Sequence, residues 1–206
     1  MEGCQKREPT IFGPINMGEF AEYVYFKEGT WWIYENSATQ IFDTVKVLES
    51  RRWMDTTNGI HTNQVIIKER YNIYTYSTTL DELYWYHEPG TSPDAVGANS
   101  SRYHLFCEKN GGITSGTSIR LFHPFNLDPG DGYTKCINED TTITINSTVY
   151  SNVKIFYVEQ DGTAYVDGFG NANVYYFWSK NVGIIMRKIT AVGTTEWRLI
   201  KKNIIQ

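Results

Sequence analysis

The sequence predicts an all-β protein built as a single curved antiparallel meander sheet, of half-barrel form, with at most short helices. Three observations carry this. Apolar and polar residues alternate with period two through many short segments, the pattern that sends successive side chains to opposite faces of a strand. Gly, Asn, Asp and Pro punctuate those segments at their boundaries instead of interrupting them. Aromatic residues make up 15% of the 206-residue chain, with 15 Tyr and 6 Trp, and much of that content falls in the alternating runs. Tyr and Trp bury a ring while leaving a polar tip in water, which suits a sheet with one wet face. A chain of this length buries about 70% of its unfolded surface, so a core forms without metal or disulfide staples.

Residues 1–15 read as a flexible N-terminal tether and residues 16–206 as a single β-rich domain. Gly18 to Tyr25 offers one or two helical turns, with Phe20, Tyr23 and Val24 on one side. Gly29-Thr30-Trp31-Trp32-Ile33-Tyr34-Glu35 opens the sheet. Ile41 to Trp53 follows, with Val45 and Val47, and with them Ile41 and Asp43, on one face. Thr56-Thr57-Asn58-Gly59 reads as a turn, because Asn-Gly is a favoured hairpin pair. Gln64 to Ser77 is the longest alternating strand. It sets Val65, Ile67, Tyr71 and Ile73 on one face and Ile66, Lys68, Arg70, Asn72, Tyr74 and Tyr76 on a wetter one.

Leu80 to His87 is the next strand, and residues 88–101 are rich enough in Pro, Gly, Ser, Asn and Asp to be a surface loop. Tyr103–Cys107 and Ser118–Phe122 are short strands around Gly111-Gly112, followed by an irregular loop at 124–132. Then come Thr141–Ile145, Thr148–Val158, a turn at Asp161-Gly162, Val174–Ser179 and Gly183–Ala191. The last hairpin turns at Val192-Gly193-Thr194 and runs out through Ile200. Gly183 stands where positive φ is expected, and Trp178 and Trp197 are expected to pair on adjacent strands.

Composition narrows the function. A net charge of -4 and a pI near 5.6 do not supply the basic face that a general nucleic-acid binder needs. No apolar run approaches the roughly 20 residues of a membrane-spanning helix. None of His61, His87, His104 and His123 stands two or four residues from another, so no metal motif is expected. Asn126–Gly132 is rich in oxygen ligands, but Gly130 falls where a calcium loop needs a side chain. Gly111–Gly116 lacks the Lys and helix of a phosphate loop, and no Gly-x-Ser-x-Gly elbow occurs. The expectation is a non-enzymatic protein without a cofactor. The rival reading is a secreted hydrolase of glycans or lipids, with His87, Glu88 or His123 in its cleft.

The three cysteines divide unevenly. Cys107 and Cys136 end or follow strand-like runs and can form a disulfide if those strands are neighbours; free buried cysteine is the alternative. Gly3-Cys4-Gln5-Lys6 resembles the junction after a bacterial lipoprotein signal peptide, where the cysteine is lipidated and a polar tether follows. Met1 and Glu2 depart from that pattern, so the expectation includes a signal segment missing from this sequence. Asp43-Thr44-Val45, Asp55-Thr56-Thr57 and Asp140-Thr141-Thr142 resemble the Asp-Ser/Thr-apolar motif for O-glycosylation in Bacteroidetes, which would modify Thr44, Thr56 and Thr141.

Tyr-Ser-Asn-Val-Lys-Ile at 150–155, Tyr-Tyr-Phe-Trp-Ser-Lys-Asn-Val-Gly-Ile-Ile at 175–185 and Thr-Glu-Trp-Arg-Leu-Ile at 195–200 resemble the C-terminal signature of uncharacterised Bacteroidetes lipoproteins. Gly-Thr-Trp-Trp-Ile-Tyr-Glu at 29–35 resembles an element near their start, with Thr30 and Trp31 departing from its usual form. These patches cover about a third of the chain. The resemblance implies an exported protein with a curved antiparallel sheet, held in the cell envelope, periplasm or outer membrane surface by a lipid on Cys4. The expected function is binding of an apolar small ligand or lipid on one sheet face, with Tyr74, Tyr76, Tyr84 and Trp85 as the contact residues. The membrane enters only through the anchor.

Overall fold

Period-two patterning becomes strand almost everywhere it occurs. The computed structural model describes residues 8–16, 21–58, 64–79, 81–89, 103–109, 117–119, 134–158, 173–191 and 193–206. In chain order these form β1 (Thr10–Ile15), α1 (Ala21–Val24), β2 (Trp31–Asn36), β3 (Phe42–Asn58), β4 (Gln64–Ser77), β5 (Asp81–Pro89) and β6 (Tyr103–Lys109). They continue with β7 (Thr117–Ile119), β8 (Thr134–Ile145), β9 (Thr148–Val158), β10 (Asn173–Ser179), β11 (Gly183–Ala191) and β12 (Gly193–Asn203). The fold class is all-β, with one curved sheet that is not closed into a barrel.

Strand order across the sheet is β7-β6-β5-β4-β3-β2-β12-β11-β10-β9-β8. All pairings along this path are antiparallel. The order is circular: two meanders, β2–β7 and β8–β12, spread from a central seam where β2 pairs with β12. Among the described residues, β7 and β8 end the path. Local chemistry sets the turns. Asn146 and Ser147, alone between β8 and β9, have φ of 47° and 65°, and positive φ at both central residues matches the twist of flanking strands. Gly183 has φ +86°, and a Cβ there would lie 3.1 Å from the Phe26 ring.

The inner face carries Trp32 and Tyr34 of β2, Val47 of β3, Tyr71 and Ile73 of β4, Tyr176 and Trp178 of β10, Ile185 and Ile189 of β11, and Trp197 and Leu199 of β12, all buried. One end of the sheet is capped by α1 and the chain that follows it. Trp32 Nε1 donates to the Val182 carbonyl at 2.7 Å and Tyr34 Oη to that of Ile184 at 2.8 Å. Phe26 meets Trp32 edge-on, with centroids 5.0 Å apart. Tyr23 Oη donates to the Asn152 carbonyl at 3.2 Å. The chain terminus closes over the same end, Lys27 N donating to the Ile205 carbonyl at 2.9 Å.

Several expectations are corrected. Residues 10–15 of the expected tether form β1, which pairs in parallel with β4 from Thr10↔Gln64 to Ile15↔Lys68. β5 reaches β4 only from Tyr71 onward, so the first half of β4 has a free edge, and β1 takes it. Thr56–Asn58 are strand, not turn, because β3 and β4 pair out to Asn58↔Val65. In that overhang the buried face of β4 changes. Ile66 and Lys68 are buried on the face expected to be wet, while Tyr71, Ile73, Thr75 and Ser77 keep the expected parity. The change falls where the second neighbour of β4 passes from β1, which pairs as far as Lys68, to β5, which pairs from Tyr71. Trp178 and Trp197 are not on adjacent strands, since β11 lies between β10 and β12. Trp178 instead meets Phe156 edge-on at 6.4 Å. Glu88 and Pro89 of the predicted 88–101 loop are strand instead, paired with His104 and Tyr103; the rest of that loop, the loop at 124–132, the Gly111-Gly112 turn and the Asp161-Gly162 turn lie outside the described residues.

Candidate binding site

A charge pair sits within the apolar inner face. Register puts Asp43 opposite Tyr34, and Arg187 opposite both Tyr176 and Trp197. Period two therefore turns both charged residues inward. Asp43 is 0% and Arg187 5% exposed, and Arg187 Nη2 lies 3.2 Å from Asp43 Oδ2. The guanidinium is 5.1 Å from the Tyr34 ring centroid and 5.6 Å from that of Trp197, distances at which a ring face attracts a cation. The other carboxylate oxygen accepts from Ser77 Oγ at 2.8 Å, Thr78 Oγ1 at 3.2 Å and Thr79 N at 3.3 Å. Every polar demand of Asp43 is thus met from the β4 end and from β11. The pair ties the two meanders together across the β2–β12 seam.

Arg187 is not among the residues that sequence motifs single out. Its signal is legible afterwards: it alternates with Ile185 and Ile189, and Asp43 alternates with Val45 and Val47. Opposite charges, each set on an apolar face, are the pattern of a buried pair.

On the β5–β7 side, register extends the buried row of β4. Tyr71, Ile73 and Thr75 stand opposite His87, Trp85 and Leu83. His87 and Trp85 stand in turn opposite Leu105 and Cys107, and Leu105 opposite Ile119. Tyr84 is instead opposite Tyr74, and Tyr76 opposite Glu82. The four expected contact residues therefore divide: Tyr74, Tyr76 and Tyr84 occupy one set of register positions, Trp85 the other. Tyr74 is half-buried, and Tyr76 is 39% exposed.

The remaining candidates scatter. Cys107 lies on β6 and Cys136 on β8, strands that are not neighbours in the sheet. Thr44 and Thr141 are half-buried within β3 and β8, and Thr56 is exposed on β3. The aspartate before Thr44 is the buried Asp43, and the one before Thr141, Asp140, holds the Lys154 ammonium at 3.2 Å. Of the hydrolase candidates, His87 and Glu88 lie on β5, and His123 lies outside the described residues, as do Cys4 and His61. Among the described residues no three His, Cys, Asp or Glu side chains are grouped to hold a metal, and no helix is long and apolar enough to cross a membrane.

Comparison of the chain with protein-family models, with curated proteins and with solved structures finds no match. What the fold itself defines is a class: an all-β protein with one curved, circularly ordered sheet.

Proposed function

We propose that this is a non-enzymatic protein of the cell envelope, held there by a lipid on Cys4, that binds an apolar small molecule or lipid on its curved sheet. The observation that carries the reading is the register of the β4–β7 side. The row that is buried on β4 continues outward as Leu83, Trp85, Leu105, Cys107 and Ile119, with His87, Lys109 and Thr117 as its polar members. Apolar surface in a concavity, with few polar groups, is the usual composition of a small-molecule site.

The test is fluorescence titration of the full chain with a fluorescent fatty acid. Saturable binding is expected, weakened about tenfold or more by Trp85→Ala, which removes a large apolar contact. Tyr76→Ala, at the alternate register, should leave affinity unchanged. Failure of the unmodified protein to bind the probe, or equal affinity in both variants, sinks the reading. The anchor is checked separately by expressing the gene with its upstream sequence and weighing the N-terminal peptide; an unmodified Cys4 rules it out.

A further inference from the structure

Strands of unequal length leave a notch at the capped end. β10 stops at Ser179 and β11 starts at Gly183, whereas β9 begins at Thr148, well before Val153, the first of its residues to pair with β10. β12 runs on to Asn203 alongside β2, past Arg198, the last of its residues to pair with β11. The overhanging ends of β9 and β12 therefore flank the short β10–β11 turn. Between them is a recess of about 280 Å³ whose lining includes Thr148, Tyr150, Asn152, Asn181, Lys180 and Lys202.

The lining is hydroxyls, amides and two ammonium groups. Lys180 Nζ is tied to Glu22 Oε2 at 2.7 Å. Lys202 has no carboxylate partner among the described residues; its Nζ lies 4.9 Å from the centroid of the Tyr150 ring. A cation over a ring keeps its N–H donors for a further acceptor. Lys202 is exposed at the rim of the recess and Tyr150 is buried beneath it; partial desolvation lowers the pKa of the first and raises that of the second. An anion entering here would favour the charged form of the Lys202 ammonium. A recess this small takes a compact anion, and one with several acceptor oxygens can use an ammonium, hydroxyls and amides together.

We propose that this notch binds a phosphate group, with Lys202 as its principal cation. The group belongs either to a free phosphate or to a phospholipid headgroup. β1 enters beside the overhanging tip of the β3–β4 hairpin, at the same end of the sheet. A lipid on Cys4 would bring headgroups towards that end, so the headgroup source rests on the anchoring proposed above, while the site itself does not.

The test uses the full, unlipidated chain and two probes: inorganic phosphate by calorimetry, and phosphatidylglycerol vesicles by co-sedimentation. The chain's net charge of -4 works against non-specific attraction to either. Binding is expected with at least one probe, falling about tenfold in Lys202→Gln, which removes a charge-assisted hydrogen bond, and persisting in Lys46→Gln, an exposed lysine on β3. Binding of inorganic phosphate identifies the free ion as sufficient; binding of vesicles alone identifies the headgroup. No binding of either probe, or binding unaltered by Lys202→Gln, overturns the proposal. The fatty-acid titration with Trp85→Ala reads the other side of the sheet, so the two proposals fail separately.

Discussion

Breaking the Asp43–Arg187 pair from one side should be among the costliest single changes in this protein. Asp43→Asn keeps an oxygen to accept from Ser77 and Thr79 but leaves the Arg187 guanidinium charged and buried at 5% exposure. Loss of one partner of a buried pair costs about 3–5 kcal/mol, mostly through the stranded charge. Arg187→Met strands Asp43 instead, while keeping an apolar stem against Tyr34 and Trp197. With a urea dependence of about 2 kcal/mol per molar, each single variant should unfold at a midpoint about 1.5–2.5 M lower. Melting should fall by about 6–20 °C, at 2–4 °C per kcal/mol for a chain of this size. The double variant carries neither charge, so its loss should be smaller than the sum of the singles by several kcal/mol. Paired urea and thermal melts of all four proteins give the cycle. Additive losses, or single losses below about 1 kcal/mol, would refute the argument that these two charges are interdependent.

Three further outcomes are expected. Gly183→Ala forces a side chain into φ +86° and within 3.1 Å of the Phe26 ring; about 1–2 kcal/mol is lost to the backbone alone, and Phe26→Leu in the same chain should restore the packing share, as read by thermal melts. Trp32→Phe loses the 2.7 Å bond to the half-buried Val182 carbonyl, which urea unfolding should register as about 0.5–1.5 kcal/mol. Burial raises the pKa of Tyr71 well above 10.0, so the folded protein holds this proton more tightly than the unfolded chain. The corresponding stability is complete below pH 10.0 and drains away as pH climbs above it. In urea midpoints taken across the alkaline range, Tyr71→Phe should therefore show a shallower decline than the parent; parallel declines would assign alkaline loss to other groups.

Local pattern made much of this fold legible. Gln64–Ser77, Thr148–Val158 and Gly183–Ala191 are strands at the predicted boundaries because each carries a full period-two run between turn residues. The helical turn before the sheet and the positive φ of Gly183 also follow from local chemistry. What local pattern does not encode is partnership. β1 was invisible because Thr10–Ile15 becomes a strand only by taking the edge of β4 that β5 leaves open. Lys68 is 0% exposed despite its charge, on the segment of β4 whose second neighbour is β1 and not β5. Tyr84 and Trp85, adjacent in sequence, had to fall at opposite register positions, a consequence of strand pleat that overrides the attraction of grouping four aromatics. The notch escaped for a related reason: unequal strand lengths are a property of neighbours, not of any one segment.

The circular strand order has a consequence for how the chain is made. The central seam joins β2 to β12, and beside it Thr30 and Ile205 bond at a separation of 175 residues. Each meander is assembled from hairpins that can zip locally, but β2 cannot cover its second edge until β12 has left the ribosome. Long-range closure of this kind slows folding, and an uncovered edge is where chains aggregate. Emergence of β12 is therefore the step at which the second edge of β2 is covered and its exposure to self-association ends.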